Sequence, residues 1–367
     1  MKLQNKKRIL CCILSIVMMF LLLGCGATAP AEPEAQEEAA PQAAPEGEKR
    51  IQVTPPMAYE DAVFNRELVE GKFAVYYLTS GLSISSWKNQ VAGGDAMILI
   101  FPDGKTGLLD CGHQGEAAHV VNRLNQLGIS KLDFFIISHP HTDHAGGYRT
   151  ILRNLEIGQV YIPPMELMER GDLVTLDLVN ELERRDIPYT ELVEGDEFDI
   201  TTDVHVKVYN PTREFAAITT YNVNEASLLM KFTYKDSSFL FNGDIANNTV
   251  KANGYPTEEE LVKRWGDELQ ADVAKVGHHG NGDAMSTDVW RAAVDAKIYT
   301  TLSTFPRSLA EHMLWRGTGA YSLNTALDGD FVIFTSGDGT YEVQVSKDRT
   351  SEGYELLDTT NGYMKVD

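Results

Sequence analysis

The stretch Ser138-His139-Pro140-His141-Thr142-Asp143-His144-Ala145-Gly146-Gly147 constrains this chain more than any other. Its three histidines and one aspartate fall within six residues. Just upstream, Leu132-Asp133-Phe134-Phe135-Ile136-Ile137 is short and rich in aromatic and β-branched residues, which predicts a buried strand. The cluster therefore lies on a loop where a strand ends. Backbone leaving a strand can aim alternate side chains at one point, and Pro140 restricts φ in mid-turn. Imidazole and carboxylate together suit zinc and neighbouring divalent ions.

Four donors on one loop cannot enclose two ions, and two later strand ends supply more. Phe239-Leu240-Phe241-Asn242-Gly243-Asp244 is an apolar strand that delivers one carboxylate after a glycine. Val273-Ala274-Lys275-Val276-Gly277-His278-His279-Gly280 is a strand ending in paired imidazoles. His278 is assigned as the ligand and His279 as its supporting or substrate-facing neighbour. The two roles are interchangeable on sequence grounds.

The H-x-H-x-D-H pattern resembles the signature of the metallo-β-lactamase-like hydrolases. Four further motifs make the chain similar to the ComEC-type branch, named for the soluble domain of bacterial DNA-uptake channels. They are Gly93-Gly94-Asp95-Ala96, Leu109-Asp110-Cys111-Gly112, Asn224-x-x-Ser227-Leu228 and the H-H-G turn. The likeness runs from about Phe73 to Val345. It implies an α/β fold, the αββα four-layer sandwich, with two divalent ions at the sheet edge. Zinc is the expected metal and manganese the alternative. By the same resemblance His139 and His141 hold the first ion. Asp143, His144 and His278 hold the second, Asp244 bridges, and Asp110 stands behind the ligands. Asp143 and Asp244 are then the catalytic carboxylates. The ions would lower the pKa of a shared water and polarise the scissile group.

One departure matters. The superfamily places a third histidine shortly before the bridging aspartate, and Tyr221 to Met230 contains none. Asn224, Ser227 or water would fill that place, which predicts a weaker first site. Asp95 is read as a turn residue, His119 as a helix-surface residue and His205 as a strand residue.

The rest of the chain sets domain limits and address. Lys2, Lys6, Lys7 and Arg8 precede an apolar run from Ile9 to Leu23, too short for an ordinary membrane span, and Leu22-Leu23-Gly24-Cys25 resembles a bacterial lipobox. Residues 1–24 are expected to be a lipoprotein signal peptide, with Cys25 the lipidated residue anchored to the outer face of the cell membrane. Residues 25–50, rich in Ala, Pro and Glu, form a disordered acidic tether. A lead-in spans 51–72, the hydrolase domain 73–350, and a tail 351–367. With Cys25 acylated, Cys111 is the only free thiol left. The net charge is −21, which argues against tight general nucleic-acid binding. An anionic substrate would need a cationic groove or the metals themselves.

Hydrophobic periodicity predicts strands at 73–79, 96–101, 106–110, 160–162, 204–209, 273–276, 298–301, 331–335 and 341–345. A hairpin is expected over 227–242. Helices are expected over 115–126, 148–155, 173–185, 257–269 and 287–294. The function expected is an extracytoplasmic, membrane-anchored hydrolase acting on a small or polymeric phosphodiester. The alternatives are another ester or a β-lactam substrate, or a surface protein that keeps a metal only to bind a ligand.

Overall fold

The computed structural model describes residues 51–53, 63–79, 94–169, 173–217, 223–245, 257–280, 286–303, 320–347, 354–358 and 362–365. The lipobox, Cys25, the tether and Gly93 lie outside these residues. No helix among the described residues is long and apolar enough to cross a membrane.

Strand β2 (Phe73–Tyr77) shows how the layers arise, since every residue in it is buried. Phe73, Val75 and Tyr77 join one core, and Ala74 and Tyr76 join another. That alternation is the two-residue period of a strand. A sheet covered on both faces gives unbroken apolar runs, which is why these strands stand out in the sequence.

The first sheet runs in the order β1 (Ile51–Val53), β16 (Tyr341–Val345), β15 (Phe331–Thr335), β2, β3 (Met97–Ile100), β4 (Thr106–Leu109), β5 (Lys131–Ile136), β6 (Glu156–Ile162), β7 (Tyr189–Glu191). The second runs β14 (Tyr321–Asn324), β13 (Ile298–Thr301), β12 (Val273–Lys275), β11 (Ser237–Phe241), β10 (Leu229–Tyr234), β9 (Val204–Asn210), β8 (Glu197–Asp199). Their inner faces share one core, in which Phe73, Leu99 and Ile333 meet Val206, Phe232, Phe239 and Tyr321. The helices Ala117–Gln126, Tyr148–Asn154 and Leu173–Arg184 cover the first sheet through Val120, Leu124, Ile151, Leu178 and Leu182. The helices Thr257–Trp265 and Asp288–Val294 cover the second through Leu261, Trp290 and Val294. The result is the expected αββα sandwich.

Strand direction collects the chemistry at one edge. β4 and β5 are parallel and β3 is antiparallel to β4. The residues after β4 and β5 and those before β3 therefore emerge together. In the second sheet β11 and β12 are parallel and β10 is antiparallel to β11. Residues after β11 and β12 and before β10 likewise share an edge. The sheets are joined there by the Leu228 amide, which donates to the Ser138 carbonyl at 2.8 Å.

Several elements differ from expectation. β1, β7, β8 and β14 carry no clear pattern, since each has three or four residues and takes its place from a neighbour's backbone. The tail 351–367 contains an antiparallel pair, β17 (Tyr354–Asp358) and β18 (Gly362–Lys365). The helix expected to run to Leu269 stops at Trp265. Gly266, at φ +48, turns the chain into a short 3-10 segment. The histidine loop itself contains one helical turn, Thr142–Ala145.

Candidate metal centre

Asp244 is the convergence point. It follows β11 and is buried. Its Oδ2 lies 3.1 Å from His144 Nε2, 3.5 Å from His279 Nε2 and 3.8 Å from His139 Nε2. One carboxylate oxygen thus faces three imidazole nitrogens delivered by two sheets. The Asp244 amide donates to Ser227 Oγ at 3.1 Å, and that hydroxyl donates to the Asn224 carbonyl at 2.6 Å. Ser227 thus ties the Asp244 backbone to the Asn224 segment.

Two groups of side chains could each hold an ion. One is His139, His141 and Asp244. The other contains Asp95, His144, Asp244 and His279, and within each group the ligand atoms lie within 4.8 Å of one another. Asp143 borders the second group, with its Oδ2 3.3 Å from His279 Nε2. The residues fit a divalent pair. His144 Nε2 and Asp244 Oδ1 are buried with no hydrogen-bond partner, which is costly unless a cation takes them up. The first group offers three protein donors, the number at which catalytic metal sites keep an open position.

The two paired histidines exchange the roles assumed from sequence. His279, not His278, enters the cluster. His278 stands beside Asn224, with Nε2 3.5 Å from the amide nitrogen, and its Nδ1 is buried without a partner. The cause is local backbone geometry. Gly277 packs so close to Ile245 that a Cβ there would run into its carbonyl group. The chain then turns through φ +44 at His278 and φ +56 at His279. Side chains seldom adopt this left-handed region, at about 1–2 kcal/mol each. The tight turn sends successive rings in different directions.

Carboxylates orient the rings from behind. Asp110 Oδ2 lies 2.8 Å from His144 Nδ1 and accepts from Ser138 Oγ at 2.6 Å, while its Oδ1 accepts from the Ser138 amide. Asp95 Oδ1 lies 3.0 Å from His279 Nδ1. Fixing Nδ1 in this way leaves Nε2 for the metal. Lys275, wholly buried, forms an ion pair with Asp95 Oδ2 at 2.7 Å.

The electrostatics follow from four aspartates in one buried space. Burial alone would lower His144 and His279. The carboxylates of Asp244, Asp110 and Asp95 instead hold His144 well above its ordinary pKa, and Asp244, Asp95 and Asp143 push His279 up to about 10. Burial and the His144 charge hold His139 well below the usual range. Asp244 stays far below the usual carboxylate range despite burial, because His144 and His279 face it. Before any metal is bound, two imidazolium ions thus offset the carboxylates.

Sequence reasoning missed Asp95, Lys275 and Glu116. Asp95 is no mere turn residue, being fully buried. Lys275 had a signal: a lysine inside Val273-Ala274-Lys275-Val276, a strand with both faces covered, must find an anion. Glu116 is buried near Gly94 and accepts from the His113 amide at 3.1 Å, and burial pushes it up to about 7. His119 is less exposed than expected, with Nε2 3.3 Å from Thr79 Oγ1. His205 is exposed on β9 beside Asp199.

The family described as "Metallo-beta-lactamase superfamily" matches residues 92–294, more than half of the chain and all the residues of the centre. ComE operon protein 3 of Bacillus subtilis (strain 168) is 27% identical over 158 residues, 43% of this chain and 18% of that protein. The chain thus matches under a fifth of that relative's length. Among solved structures, a CmlA beta-hydroxylase E377D mutant is 13% identical with a TM-score of 0.43, over 69% of this chain and 52% of that one. The Rm3 metallo-beta-lactamase is 18% identical with a TM-score of 0.35, over 51% of this chain and 72% of that one. The chain belongs to the metallo-β-lactamase superfamily of metal-dependent hydrolases.

Proposed function

We propose that the protein is a phosphodiesterase working through two divalent ions, with zinc favoured by the mixed imidazole and carboxylate donors and manganese the alternative. One observation carries this reading: Asp244 is common to both ligand groups. A shared carboxylate calls for two ions side by side, the arrangement suited to in-line displacement at phosphorus. When bound, the ions would supply a nucleophile at neutral pH and neutralise the charge of the phosphoryl group.

The remaining work falls to this chain's own residues. His139, His141, Asp143, His144, Asp244 and His279 would hold the ions. Asp110 and Asp95 would keep Nε2 of His144 and His279 turned inward. His278, kept uncharged by burial, has a ring nitrogen without a partner. With Asn224 it would contact the substrate oxygens. The acidic balance of the chain would leave attraction of an anionic substrate to the centre itself. We further propose an extracytoplasmic, lipid-anchored location through Cys25, supported by the basic, apolar and L-x-G-C sequence of residues 1–25.

The test is turnover of bis(p-nitrophenyl) phosphate by purified protein, with zinc or manganese and after chelation, beside a nitrocefin and a carboxyl-ester control. Chelator-sensitive cleavage of the phosphodiester, lost in Asp143→Ala, is expected. Turnover of only the lactam or the carboxyl ester would overturn the substrate assignment.

A further inference from the structure

We infer that Lys275 and Asp95 are positioning residues of the metal centre, the buried ammonium keeping Asp95 behind His279 and out of the coordination sphere. The inference rests on the metal-centre reading above.

Distance alone would allow Asp95 to be a ligand, since it belongs to the same buried group as His144, Asp244 and His279. Its partners say otherwise. Lys275 Nζ lies 2.7 Å from Asp95 Oδ2, and both side chains have no solvent exposure. The same ammonium donates to the Gly243 carbonyl at 2.6 Å and the Val276 carbonyl at 3.1 Å. The ammonium thus has two carbonyl acceptors and one carboxylate at ion-pair distance, the compensation a buried cation needs. Asp95 Oδ1 takes His279 Nδ1. Lys275 and His279 thus each hold one oxygen of Asp95.

The backbone supports the same role. The Asp95 amide donates to the Asp143 carbonyl at 3.0 Å, and the Asp95 carbonyl accepts from the Gly112 amide at 2.9 Å. A Cβ on Gly94 would collide with the Asp143 carbonyl oxygen. Asp95 is thereby pinned beneath the histidine loop. Lys275 meanwhile joins this segment to the loops after β11 and β12. Its Nζ also lies 4.0 Å from Asp244 Oδ1, which leaves Oδ2 to face the imidazoles.

Asp110 provides the contrast. It supports His144 in the same manner, yet its oxygens are held by the neutral donors of Ser138. Removing one neutral donor from Asp110 leaves an anion that His144 still faces. Removing the Lys275 charge leaves Asp95 Oδ2 without its cation, so that the carboxylate can turn toward an incoming ion. His279 then loses its fixed tautomer.

The experiment is zinc binding by chelator competition on the full chain, with ion counting, for wild type, Lys275→Met, Asp95→Asn and the double variant. Melting of each metal-free protein is recorded alongside. Both single variants should bind zinc at the His279 site about 10–100-fold more weakly, the range for lost outer partners of metal ligands. The double variant should be no weaker than the worse single, because both act through one ring. Wild-type affinity in Lys275→Met, or lowered melting with affinity unchanged, overturns the inference. Should Lys275→Met not fold, Asp95→Asn decides alone, and unchanged or tighter binding overturns it. Loss of zinc in Asp95→Asn with full retention in Lys275→Met would make Asp95 a direct ligand and also overturn it. A wild type that binds no zinc removes the metal-centre reading itself, a distinct result.

Discussion

Metal loading should depend steeply on pH. A histidine binds a divalent ion only as the neutral imidazole. In the metal-free fold the surrounding carboxylates hold His144 well above its ordinary value and His279 at about 10. Both values are raised, so acid opposes loading and alkali favours it. At pH 7, stripping the proton from His279 costs about 4 kcal/mol, from about three pH units at ~1.36 kcal/mol each. Between pH 8 and pH 6 both rings are charged before the ion arrives, so two protons leave per ion bound. Affinity should then change about 100-fold per pH unit, or about 5 kcal/mol over the two units. His139, held below its usual range, adds no proton. Chelator competition at pH 6, 7 and 8 gives the slope, and calorimetry in buffers of different protonation heat counts the protons. A slope under one decade per pH unit would refute the charge arrangement described for Asp244 and its two imidazoles.

Two further outcomes test the turn after β12. His279→Ala should lose the ion shared with His144, whereas His278→Ala should keep both ions and lose about 10²–10³-fold in kcat, the cost of one donor to developing charge; ion counting beside kinetics separates them, and the reverse pattern would restore the sequence assignment. Gly277→Ala should destabilise by about 1–3 kcal/mol, as overpacking does, and should lower zinc content because the Ile245 carbonyl leaves no room for a Cβ. Denaturant melting and metal analysis check it, and wild-type values in both would mean the turn can shift freely.

Much of the architecture was legible because burial on both faces writes itself into strand composition. β2 and β3 are wholly apolar, and β5 and β11 end in apolar runs. The motifs at their ends then had only one edge to share. The short strands were not legible: β7 and β14 are placed by pairing with β6 and β13, and pairing leaves no trace in so few residues. Nor could composition show which of two adjacent histidines points inward. That depends on φ at His278 and His279 and on the space above Gly277.

The sequence by itself determined which donors exist and that strand ends carry them: three imidazoles and a carboxylate after β5, one carboxylate after β11, two imidazoles after β12. Only the tertiary structure decided which of these face one another and what stands behind them. Asp95 and Lys275 are 180 positions apart in the chain yet 2.7 Å apart in the fold. A charge buried without a partner is costly, so their pairing is enforced by packing. That constraint acts through space and leaves no spacing rule along the chain.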